Sequence, residues 1–142
     1  EELMREMGYK DADVAKMREY LQPPKKLSLN ERKTQALTRI ETYLTEEVKP
    51  YYIRAETISE EFPYPTDIRV EWRKNTLFFI KQLFDPNDGE FFEHEYAKMS
   101  LRAKNSFNLA YHRHTGAYFI LYYDISLDEC LKALETDMLL QP

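Results

Sequence analysis

The sequence predicts an α+β domain: helices first, then a mainly antiparallel sheet, then one closing helix. Three observations predict it. Apolar residues recur at helical spacing up to about residue 62, and from Asp67 the period shortens to two. Two Ser-x-x-Glu capping boxes, Ser28 with Glu31 and Ser126 with Glu129, bracket the alternating region. The chain has 142 residues, one domain by default, and that length buries roughly 68–70% of the surface of the unfolded chain. The alternative architecture is mostly α with one short hairpin.

Val14, Met17 and Leu21 fall on one helical face behind Asp11 or Asp13 as cap, and Pro23 and Pro24 stop that helix. Residues 1–27 therefore read as an N-terminal helical arm and linker, and residues 28–142 as a single α+β domain. After the first capping box, Leu37, Ile40, Leu44 and Val48 form a stripe that Pro50 is expected to end. Ala55, Ile58 and Phe62 suggest a further short helix before Pro63 and Pro65.

The next stretch changes character. Ile68, Val70 and Trp72 alternate with Arg69, Glu71 and Arg73, the pattern of a half-buried strand with a charged outer face. Pro86-Asn87-Asp88-Gly89 supplies the chemistry of a four-residue loop between strands at 77–84 and 90–96. Residues 97–104 are expected to be helical, because Phe92, Tyr96, Met99 and Ala103 also fit a 3.6 period. A strand is expected to follow, carrying Phe107, Leu109 and Tyr111 on an apolar face and Asn108, His112 and His114 on a polar one. The run Tyr118-Phe-Ile-Leu-Tyr-Tyr is apolar on both faces and predicts a strand covered on both sides. Leu127, Leu131, Leu134 and Met138 give the last helix its buried stripe, with Cys130 beside it as a buried thiol.

Composition narrows function by exclusion. The formal net charge is −5 and aromatics make up 14% of the chain, with eleven Tyr and eight Phe. An acidic, aromatic-rich chain shows no basic face, so a nucleic-acid partner is not expected. The three glycines stand at 8, 89 and 116, too few for a phosphate-binding loop, so no nucleotide cofactor is expected, nor any other. No apolar run approaches the ~20 residues that span a bilayer. The single Cys130 fits a soluble protein of a reducing, intracellular compartment, cytoplasm or organelle matrix. The chain begins at Glu1 rather than Met, which reads as a piece of something longer.

Two sets of residues are candidates for a site. His94, His112 and His114 are weak candidates for acid–base or metal chemistry, since imidazole titrates near neutrality and ligates metals. With Glu95 they would make a hydrolytic site if the fold joined them. On a strand, His112 and His114 share a face; on a helix they lie about 200° apart. Asp67, Glu71 and Arg73 resemble metal-nuclease spacing, but a solvated strand face explains them, and no metal site is expected. The second set is Tyr51, Tyr52, Phe62, Tyr64, Tyr118 and Tyr122, aromatics crowded around prolines or on the doubly apolar strand, expected to meet a partner. The leading expectation is a non-enzymatic protein–protein interaction module or accessory subunit of a larger assembly. The alternatives are a small hydrolase or metal-dependent enzyme using the histidines, and a helix-turn-helix nucleic-acid binder built on residues 55–72.

Overall fold

A computed structural model describes residues 27–103 and 105–142; the predicted helix carrying Val14, Met17 and Leu21 lies outside them. Helix α1 (Leu29–Tyr43) opens on the expected capping box. Ser28 Oγ accepts from the Glu31 amide at 3.1 Å, and the Glu31 carboxylate accepts from the Ser28 amide at 3.5 Å. Pro50 does not end this helix. The chain widens into a π turn (Leu44–Val48), in which the Lys49 amide donates to the Leu44 carbonyl five residues back, and continues as α2 (Lys49–Tyr52). A proline has no N–H, and its ring would strike the carbonyl four residues earlier; one extra residue in the turn relieves the clash.

The expected helix over 55–62 reduces to one 3₁₀ turn, Ala55–Thr57. Beyond it Ser59 Oγ accepts from the amides of Glu61 and Phe62, both at 3.0 Å, a serine turn that displaces helical hydrogen bonding. Residues from Tyr64 onward form a strand, so the two helices of the helix-turn-helix alternative are not formed.

Five strands follow: β1 (Tyr64–Arg73), β2 (Thr76–Asp85), β3 (Glu90–Leu101), β4 (Phe107–His112) and β5 (Tyr118–Ile125). They pair antiparallel in chain order. Helix α3 (Leu127–Thr136) closes the domain behind the second capping box, and a 3₁₀ turn (Met138–Leu140) follows. The β2–β3 loop forms as its residues dictate: the Gly89 amide donates to the Asp85 carbonyl at 2.8 Å, with Gly89 at φ +70°.

The helices share one face of the sheet. Ala36, Ile40 and Leu44 from the first helical segment and Cys130, Ala133 and Leu134 from α3 meet Ile68, Leu77, Phe79, Met99, Phe107 and Leu109 in one buried core. Each Leu, Ile or Phe buried there contributes about 1.5–3 kcal/mol. Trp72 joins its margin, and its indole N–H donates to the Lys33 carbonyl at 3.2 Å, tying β1 to α1.

Three expectations need correction. Residues 97–101 are strand, not helix. The register slips between Phe79 and Ile80, so Tyr96 is an extra residue in β3 and sits in the core beside Ala97. That bulge breaks strict alternation, and a broken alternation resembles a helical period. The strand of residues 118–123 is not covered on both faces. As β5 it is the sheet edge, with Phe119 50% and Tyr123 66% exposed, and its own irregular pairing with β4 redistributes its side chains. Met138 lies past the end of α3 and is exposed; Cys130 and Ala133 fill the core with Leu134 instead.

Candidate functional site

The sheet face away from the helices carries a polar lattice. Period-2 geometry sends Arg69, Glu71 and Arg73 of β1 to that side. Register then brings them to β3: Arg69 bonds Glu93 and Arg73 bonds Glu95, each at 2.5 Å, while Glu71 accepts from both arginines. Glu95 also accepts from the Tyr118 hydroxyl of β5 at 2.9 Å. Aromatic and cationic groups interleave: the Arg73 guanidinium sits 4.4 Å from the Phe78 ring centroid and the Lys98 ammonium 4.3 Å from that of Tyr118. Ile80 and Ala110, both almost fully buried, lie outside the helix-side core; Ile80 is flanked by Arg69 and Glu95, so the lattice covers it.

The electrostatics follow from these contacts. Arg73 and then Arg69 hold the Glu71 carboxyl below the usual carboxylate range. Burial alone would raise the Glu95 carboxyl, but Arg73 and Tyr118 outweigh it and hold it low. Burial and then Glu95 push the Tyr118 hydroxyl well above the ordinary tyrosine value.

Two of the three candidate histidines come together where β3 runs past the end of its pairing with β4. The His94 and His112 rings lie 5.1 Å apart, and His112 packs 4.9 Å from Tyr118. His112 Nε2 is 3.1 Å from the Gly116 carbonyl, while its Nδ1 is buried without a hydrogen-bond partner. Burial, then Lys81 and His112, hold His94 below its ordinary pKa. His114 stands in the β4–β5 turn, exposed. Among the described residues no group of three or more His, Cys, Asp or Glu side chains is arranged to hold a metal.

The aromatic candidates fall into two kinds. Tyr51 and Phe62 are exposed, at 75% and 67%. Tyr52, Tyr64, Tyr118 and Tyr122 are half-buried. Tyr122 donates to Asp137 at 2.9 Å, and Tyr52 packs at the margin of the core.

Tyr64 belongs to a feature that sequence reasoning missed. It heads an aromatic row across three strands, 5.7 Å from Phe84, which is 4.9 Å from Phe91. This row crosses the far end of the β2–β3 hairpin. β3 pairs with β4 only over residues 97–101, so, among the described residues, 90–96 are paired on one edge alone. Phe91 and the next residue, Phe92, are both exposed there, and Phe62 is joined to the tip through an Asn87 side-chain bond to the Glu61 carbonyl at 2.7 Å. The signal in the sequence was the doubled phenylalanine after a hairpin turn: adjacent strand residues face opposite ways, so one of the pair always faces away from a core.

No helix among the described residues is long and apolar enough to cross a membrane. Residues 27–140 match the model of a family described as a domain of unknown function, DUF3024, and the chain belongs to that family. No curated protein and no solved structure matches the chain.

Proposed function

We propose that this member of the DUF3024 family is a non-enzymatic interaction module that meets its protein partner through the tip of the β2–β3 hairpin. One observation carries the reading: among the described residues, 90–96 have a strand edge without a partner, with Phe91 and Phe92 exposed on either side of it. An open edge offers backbone donors and acceptors in register for an added strand, and flanking aromatics supply the apolar contact that makes such pairing selective. Glu93 and Glu95 are paired in place with Arg69 and Arg73, so an incoming strand meets carboxylates already bridged to cations.

The test is affinity capture with the full chain beside a Phe91→Ser, Phe92→Ser variant. Both residues are exposed, so the variant keeps its fold by circular dichroism. A protein retained by the native chain, confirmed by direct titration, and bound at least about tenfold more weakly by the variant supports the reading. Equal binding by both chains, or none by either, sinks it.

The pairing of His94 with His112, whose ring packs on Tyr118, favours a second reading, a general acid–base site at the sheet margin. It requires turnover of a chromogenic ester or phosphodiester that falls by about 10²-fold or more in His112→Gln. Turnover unchanged in that variant removes it.

A further inference from the structure

We infer that the cavity beside the π turn binds an alkylammonium group, from a partner's lysine or from a small polyamine. The cavity is an open hollow of about 360 Å³ between the first helical segment and the C-terminal end of α3, lined by Tyr43, Glu47, Val48, Tyr51, Tyr52 and Glu135 among others. Three tyrosine rings and two carboxylates around one opening are the two elements that hold an organic cation: π faces and a counter-charge. Among the described residues neither Glu47 nor Glu135 has a cation within salt-bridge distance. Of the neighbouring cations, Lys49 turns to Asp67 at 3.2 Å and Arg39 holds Asp128, while Lys132 lines the adjoining cleft with Glu47 and Glu135 without an ion pair to either among the described residues. Burial first, then Glu135 and Glu47, keeps Tyr43 protonated beyond the usual range, and burial does the same for Tyr52, so the rings stay neutral donors of π density.

The π turn is what assembles the site. One added residue before Pro50 changes the angular step between Tyr43 and the Tyr51-Tyr52 pair, and with it the side of the helix on which Glu47 meets them. This inference stands apart from the hairpin reading and uses none of its residues.

The experiment titrates isotope-labelled full chain with tetramethylammonium chloride, with spermidine, and with a short peptide of alternating lysine and alanine. Sodium chloride at matched ionic strength is the control. The expected result is saturable movement of the Tyr43, Tyr51 and Tyr52 ring resonances while those of Tyr64 stay still. Glu47→Gln with Glu135→Gln should weaken binding about fivefold or more. Tyr51→Ala, at an exposed position that spares the fold, should do so as well. Stronger response to the peptide assigns the site to a protein lysine, and stronger response to spermidine to a free polyamine. Shifts that sodium chloride reproduces, or that survive both sets of substitutions, overturn the inference, as does the absence of any shift.

Discussion

Protonating His94 costs the folded chain more than the unfolded one. Its pKa is held below the ordinary value of about 6.5 by burial, and then by Lys81 and His112. The unfolded chain therefore binds its proton first as pH falls, and this residue's contribution to stability is lost between pH 6.5 and the lower folded value. Glu71 and Glu95, also held low, lose theirs in a separate window below the usual carboxylate range. Denaturant melts at pH 7.5 and 5.5 should show lower stability at the acid end, and His94→Gln should flatten that difference; an unchanged slope would show that His94 titrates normally. At this scale the sequence was legible where an interaction is local. Ser28 with Glu31 and Ser126 with Glu129 could be read directly, because a capping box spans three residues. The bonds from Arg69 to Glu93 and Arg73 to Glu95 could not, because they join residues 24 and 22 apart through a register that no single strand encodes.

Elements were legible where one period ran unbroken. β1 alternates over Ile68–Trp72, and the Pro86–Gly89 loop between β2 and β3 announces itself. β3 was half misread because the Tyr96 bulge places two successive residues in the core. Pro50 was misread for a different reason: a helix has a third option between continuing and stopping, a widened turn. Lys74 offers a test of turn chemistry. It connects β1 to β2 with φ +53°, a left-handed conformation that costs a non-glycine residue about 1–2 kcal/mol. Lys74→Gly should therefore stabilise the domain by about 0.5–1 kcal/mol, after the entropy that glycine loses on folding. Thermal melts will show it as a rise in Tm. A fall would mean that the Lys33 side-chain bond to the Lys74 carbonyl depends on the lysine's own backbone preference.

For the whole molecule, the fold class and the order of helix, antiparallel sheet and closing helix were legible in the sequence, while the exposure of each aromatic was not. Composition flagged an excess of aromatics, but only the arrangement of strands shows which of them remain outside: Phe91 and Phe92 at the hairpin tip, Tyr51 by the helices. A meander in which every strand pairs with its neighbour in the chain needs only short loops closed. Folding should accordingly be fast for a sheet protein, a single phase within about milliseconds to a second, and stopped-flow measurements that resolve a slower dominant phase would contradict this. The buried Cys130 adds a tool of its own. It is the chain's one cysteine, fully enclosed, with its thiol pushed up to about 12 by burial and then Glu129. A thiol-reactive dye in solution is blind to it until α3 lifts from the sheet, so every labelled molecule records one opening event. The protein thus carries a built-in clock at its centre, read by mass spectrometry at a single site and started by nothing more than adding reagent.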